Sequence, residues 1–273
     1  MQTVCIIGDE SRSVADRLAG RLAETHEGRI VMVDCTLEAA EIDTLSETSI
    51  TDIDAQFERT DDGHWQARGR NRTPMELLDS LAADYEYAVV AGVSHHRLPT
   101  VAVGEADPAA SVPVVATAPT AAAVDIDDIV ERIETFDPHI TLETLIKQVK
   151  ASPQADRSGA IATFTGRVRA KDSPEDARTQ QLSFETYEGV AEQRLETIRK
   201  ELTAREGVFE VLLHHRVGLL EDGEDIVFVV VLAGHREEAF RTVEDGINRL
   251  KDEVPIFKKE TTTEEEFWLH EQP

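Results

Sequence analysis

Lysine is scarce in this chain, cysteine is scarcer, and no long apolar run occurs. The 273 residues hold seven lysines (Lys147, Lys150, Lys171, Lys200, Lys251, Lys258 and Lys259) and two cysteines, Cys5 and Cys35. Two scattered cysteines exclude a disulfide framework and a thiolate metal site, and no Cys/His spacing fits zinc. No apolar stretch approaches the ~20 residues needed to span a bilayer, and no charged segment precedes a secretory apolar core. The reading is a cytoplasmic protein in a reducing compartment, with no membrane partner. Positive charge is short overall: 28 Lys+Arg stand against 54 Asp+Glu, a formal balance of −26. Such a surface repels phosphate backbones, which argues against any nucleic-acid partner. Abundant acid with arginine preferred to lysine reads as a solvated, halophile-like acidic surface. Against that background a cluster of lysines stands out.

What is present reads as two domains, residues 1–137 and 138–273. The first alternates strand-like and helix-like segments: a strand over 3–8, a helix over 12–24 with Val14, Leu18 and Leu22 on one face, and a strand over 29–34. Further short apolar strands follow at Tyr87–Val93 and Val112–Ala118, and a helix over about 126–136 closes the unit. This pattern predicts an α/β domain with a mostly parallel sheet. Residues 42–75 are polar and aperiodic, an insertion with a hairpin around Asp61-Asp62-Gly63. Pro138 marks the boundary, since the residue before proline disfavours helix. The Ala/Pro/Thr-rich stretch 107–123 is the rival boundary, but it contains the strand-like Val112–Ala118.

The second half has another rhythm. Thr141 is placed to cap a helix to Lys150, and Gly159–Arg169 and Gln181–Tyr187 read as strands. An amphipathic helix over Val190–Arg205 leads to strands at Phe209–Val217 and Asp225–Ala233. His235–Glu253 is helical with Phe240, Val243, Ile247, Leu250 and Val254 on its buried face, and Pro255 ends it before an extended Ile256–Thr262. Few crossover helices among many strands predict an α+β domain with mostly antiparallel pairing.

Cations gather in this half at Arg167 and Arg169, at His235 and Arg236, and at Lys251, Lys258 and Lys259. Arg167 and Arg169 lie two apart on one strand, so they share a face. His235-Arg236 open a helix, where free N–H groups favour an anion. Lys251 and Lys258 bracket Pro255. The bland reading of each is a surface ion pair; the functional one is a pocket for a phosphorylated ligand. The adjacent pairs His95-His96 and His214-His215 cannot readily chelate one ion, because strand neighbours face opposite ways.

The segments Gly159–Arg169, His214-His-Arg-Val-Gly218, Gly223–Val229, Gly234-His-Arg-Glu-Glu-Ala-Phe240 and Leu250–Glu260 resemble the MoaE family, the large subunit of molybdopterin synthase, over about residues 139–270. The resemblance implies an α/β-hammerhead fold and a homodimer within a heterotetramer. It implies a thiocarboxylated ubiquitin-like sulfur-carrier small subunit as partner and cyclic pyranopterin monophosphate as the sulfur acceptor, with no cofactor and no metal. Carried over by motif, it implies Lys251 and Lys258 as catalytic, and Arg167, Val168, Arg169, His235, Arg236, Lys259 and Glu260 as substrate-binding. Lys259 departs from the pattern in that arginine also stands there in the family, and Asp252-Glu253 are unusually acidic. The residue types suit the chemistry: cations hold a phosphate and steady a developing oxyanion, and a lysine among other cations gives up its proton more readily.

The opening strand–turn–helix resembles a MobB-like, P-loop-type domain. A P-loop needs Gly-x-x-x-x-Gly-Lys-Ser/Thr. After Gly8 this chain has Ser13, Val14 and Ala15 at the decisive positions, with Asp9-Glu10 before them. The loop is degenerate, which points to docking or scaffolding rather than nucleotide hydrolysis. Two rival functions remain: a non-catalytic adaptor for ubiquitin-like proteins, with lysines as attachment points, and a nucleotide-dependent cofactor-insertion protein. The co-occurrence of Arg167, Arg169, His235, Lys251 and Lys258 favours the enzyme.

Overall fold

The computed structural model describes residues 1–37, 54–171, 173–187, 189–263 and 266–269. They form two compact units, Met1–Ile140 and Thr141–Pro273. Among the described residues no helix is long and apolar enough to cross a membrane.

The first unit runs β1 (Gln2–Gly8), α1 (Ser11–Thr25), β2 (Ile30–Asp34), β3 (Ala55–Arg59), β4 (Trp65–Gly69), α2 (Pro74–Leu81), β5 (Tyr87–Ala91), β6 (Thr100–Val103), β7 (Val114–Ala118) and α3 (Ile126–Arg132). Five strands form one parallel sheet in the order β2-β5-β1-β6-β7. Val14, Leu18 and Leu22 of α1 pack on Val4, Ile6 and Val89, while Cys5, Ala88 and Val90 face a second cluster with Leu78 of α2. Both faces of β1 and β5 are thus buried, which explains their unbroken apolar character. Cys5 is fully buried, and burial raises its thiol to about 12, so it is core rather than nucleophile.

Several boundaries shift from the sequence reading. β7 begins at Val114 rather than Val112, because Pro113 has no N–H for the ladder. The closing helix stops at Arg132 and tightens into a 3-10 turn over Ile133–Thr135. β6 escaped the sequence reading: four residues between Pro99 and Gly104 are too short to show a period. The expected hairpin is present as β3–β4 about Asp61-Asp62-Gly63, while residues 42–53 of that insertion lie outside the described residues.

Between β1 and α1 stand only Asp9 and Glu10, and Glu10 adopts a left-handed conformation. Gly8 has φ +98°, and a Cβ there would sit 2.0 Å from the Val103 carbonyl oxygen. The end of β6 therefore closes on the end of β1. The turn has neither the length nor the space of a phosphate-cradling loop.

The second unit runs α4 (Leu142–Lys150), β8 (Ala160–Arg167), β9 (Thr179–Thr186), α5 (Val190–Thr203), β10 (Val208–His215), β11 (Gly218–Glu221), β12 (Asp225–Ala233), α6 (Arg236–Glu253), β13 (Ile256–Thr262) and β14 (Glu266–Leu269). Thr141 caps α4, its hydroxyl accepting from the Thr144 N–H at 3.2 Å. Two antiparallel sheets result, ordered β10-β12-β8 and β11-β9-β13-β14. β12 is the central strand of the first, with residues 227–233 all buried. Val227, Val229, Val231 and Ala233 meet Ile198 and Leu202 of α5 and Val243, Ile247 and Leu250 of α6. Phe228, Val230 and Leu232 lie on the face that α4 packs against. Gly246 lets α6 approach closely, since a Cβ there would lie 3.0 Å from Val229 Cγ1. Phe240, expected on the buried stripe of α6, is instead 66% exposed. The stripe runs through Ala239, Thr242, Val243, Gly246, Ile247 and Leu250, which places Phe240 beside it.

Candidate active site

The second unit holds a cavity of about 670 Å³ between its two sheets and the last turns of α6. Its charged lining comes from separate segments: Lys251 from α6, Lys258 and Glu260 from β13, and Arg167 and Arg169 from the end of β8. Apolar side chains line the rest, with Leu182 and Phe184 from β9 and Ile247 and Leu250 from α6 among them.

Each placement follows from local structure. Leu250 is buried and Val254 caps the helix, so packing fixes Lys251 at the C-terminal end of α6, where a cation suits the helix dipole. Past Pro255, β13 pairs with β9 in the register Lys258↔Phe184 and Glu260↔Leu182. Alternation then aims Ile256, Lys258 and Glu260 at the cavity, and Phe257 and Lys259 at the other face. Phe257 meets Tyr187 edge-on there, with ring centroids 5.3 Å apart. Lys259 is absent from the cavity lining for this reason.

The arginines differ from each other. The Arg167 guanidinium donates to the Gly223 carbonyl, with Nε at 3.1 Å, and lies 3.4 Å from Asp225 Oδ1. Arg169 follows the strand by two residues and also lines the cavity. Between them Val168 turns away into a cluster with Leu182, Phe184 and Leu220; its side chain is core, not lining. His235 and Arg236 are not brought to this cavity. They open α6, and Arg236 is fifteen residues from Lys251, about 22 Å along the helix at 1.5 Å per residue.

Two further polar groups of the lining carry no site role in the sequence reading. Thr179, buried on β9, donates a short hydrogen bond to Glu260 Oε1 and so orients that carboxylate among the cations. His215 ends β10 and faces the cavity, with Phe184 edge-on at 5.0 Å. Its neighbour His214 points the opposite way and stacks on Phe228 at 6.2 Å. The alternation of adjacent strand residues was legible; which of the two histidines faced a cavity was not.

Burial pushes both imidazoles down to about 4 from the ordinary 6.5, with Arg216 adding to the effect on His214. The unfolded chain takes up protons at both sites as pH falls through about 6.5, whereas the folded chain does so only near 4. Stability should therefore decline over that window on acidification. Urea midpoints at pH 7 and pH 5 check this: a His214→Gln/His215→Gln double variant should lose less stability than the wild type over the interval. An equal or larger loss would refute the assignment.

Cations converging with a carboxylate, an imidazole and hydroxyls on one cavity are the groups with which an anion can be held and a group transferred. The family model described as MoaE protein matches residues 137–253. A relative named "Probable molybdopterin synthase" from Haloferax volcanii is 51% identical over 273 residues, covering 100% of both chains. The molybdopterin synthase catalytic subunit of Pyrococcus abyssi is 36% identical over 124 residues, 45% of this chain and 82% of that one. A solved MoaE protein from Burkholderia ambifaria aligns with TM-score 0.40 and 34% identity, over 48% of this chain and 82% of that chain. The chain belongs to the MoaE family of molybdopterin synthases. It is an enzyme that transfers sulfur, and its role lies in molybdenum cofactor biosynthesis.

Proposed function

We propose that the second unit is an α/β-hammerhead catalytic domain that takes sulfur from the C-terminal thiocarboxylate of a small ubiquitin-like carrier. The acceptor is cyclic pyranopterin monophosphate, and the product is the dithiolene of molybdopterin. The observation that carries this reading is the convergence of Lys251, Lys258 and Arg169 with Arg167 on one cavity from three separate segments. The cyclic phosphate and the carrier's terminal carboxyl group are both anionic, and a site with four cations and one carboxylate can hold them together. Lys251 and Lys258 act on the reacting atoms, as proton donors and as charges beside the developing oxyanion. The arginines and Glu260 bind and orient the acceptor, with Lys259 contributing from the periphery. His235 and Arg236 reach such a cavity only from a second copy of the chain, which fits a homodimer with one carrier bound per protomer.

The decisive experiment mixes the purified chain, a thiocarboxylated carrier and cyclic pyranopterin monophosphate, and follows the product by mass spectrometry. The expected result is a gain of two sulfurs by the pterin. A folded chain that leaves the pterin unchanged would sink the reading in favour of an adaptor.

The first unit we read as a MobB-like domain with a docking or scaffolding role. The two-residue turn after Gly8, the packing of Val103 against it and the acidic Asp9-Glu10 support the absence of a nucleotide function. Calorimetry of the full chain with ATP or GTP should show no saturable heat. A clear binding isotherm that disappears on changing Gly8 would overturn this.

A further inference from the structure

The register of the first sheet of the second unit puts His215, Val227 and Gly166 in one row across β10, β12 and β8. Residues paired across a sheet project to the same face, and all three line the cavity. Gly166 is confined to hydrogen there, because a Cβ would stand 2.6 Å from Val227 Cγ1. Val227 therefore covers Gly166, and the row turns one imidazole toward the cavity that Arg167 also lines. The Phe184 ring holds that imidazole from its edge, with 74° between the planes. Its Nδ1 is buried without a well-aligned hydrogen bond among the described residues, and the backbone of Arg216 lies within reach of the imidazole. Buried polar atoms are nearly always paired, so an exception in a cavity wall calls for an account.

We propose that His215 is a substrate-contacting residue of the sulfur-transfer reaction, its imidazole hydrogen-bonding an oxygen of the bound pterin. The inference rests on reading this cavity as the sulfur-transfer site. The lysines and arginines of the lining can only donate hydrogen bonds. An uncharged imidazole can donate with one nitrogen and accept with the other, and it adds no further positive charge to a crowded cationic wall. Burial keeps His215 in that form at neutral pH. A histidine that merely filled space would leave different marks: its nitrogens would be paired within the core, and a ring of similar shape would replace it without loss.

That contrast supplies the test. The full chain, a thiocarboxylated carrier and cyclic pyranopterin monophosphate are assayed with wild type, His215→Phe and His215→Gln, and each variant is melted. His215→Phe should fold and melt no lower than wild type, since it removes a buried nitrogen without a well-aligned hydrogen bond, yet its kcat should fall about 10²-fold. His215→Gln should recover about tenfold of that loss, because its amide restores a donor and an acceptor. A folded His215→Phe with kcat within about threefold of wild type overturns the proposal. Should His215→Phe not fold, ring-nitrogen NMR of the wild type decides: the signal that His215→Gln removes must shift when the pterin alone is added, and an unmoved signal counts against the contact. A wild-type chain that transfers no sulfur ends the functional reading and this inference together. A working wild type beside an equally fast His215→Phe ends this inference alone.

Discussion

Lys251→Ala and Lys258→Ala should each lower turnover by about 10²–10³-fold, the scale of losing a proton-transfer group or a charge beside a developing oxyanion. Lys259→Ala should cost far less and act mainly through substrate affinity. The distinction comes from geometry rather than from residue type. Lys258 pairs with Phe184 across β9 and shares its face with Ile256 and Glu260, all of which line the cavity. Lys259 pairs with Ser183 and projects from the other face. All three variants should remain folded, because Lys251 is exposed and the other two are only partly buried, so no core cavity opens. Side-by-side rates with the carrier and the pterin decide the matter. A dead Lys259→Ala beside a near-normal Lys258→Ala would mean that β13 is registered one residue away from its described position.

Phe228→Ala should destabilise the second unit by about 3–5 kcal/mol, as expected for emptying an aromatic site that cannot collapse. Phe228 is fully buried in the middle of β12, with His214 stacked on one side and the Arg216 guanidinium 5.2 Å from its ring centre. A loss of that size is a large part of the ~5–15 kcal/mol that holds a domain together. Hydrogen exchange of the β12 amides in the full chain reads it directly, and Phe228→Leu should lose markedly less. Wild-type protection in Phe228→Ala would show that the core is not organised about this strand.

The elements of the second unit were largely legible because their signals are local. The stripe through Val243, Ile247 and Leu250, the stop at Pro255 and the alternation after it depend on neighbours three or four residues away, or two. The spacing of Lys251 and Lys258 could be read for the same reason. What local pattern could not supply was convergence. Val168 lies between two arginines that line the cavity, yet it packs into the core because β8 ends at Arg167 and the chain turns with Gly223. His235 and Arg236 have cavity-like chemistry but sit at the far end of an 18-residue helix. His215 needed the pairing of three strands before its direction was known. In the first unit, α2 carried a readable signal that the polar insertion obscured: Thr73 and Glu76 form a reciprocal capping box with Pro74 at the first turn.

The strand that carries Lys258 also constrains how this protein can change over generations. Six residues separate Lys251 from Lys258, and they cover the end of α6, the Pro255 break and the first two positions of β13. Single replacements at its exposed positions, such as Asp252, leave the backbone path intact and are open to drift. Gain or loss of one residue would turn β13 over, burying Lys259's charge in the cavity wall and sending Lys258 outward, while Phe257 and Glu260 also exchange sides. The segment should therefore accumulate substitutions but not insertions or deletions. Libraries built to alter this enzyme should hold the length from Lys251 to Glu260 constant and place length variation after the end of β13.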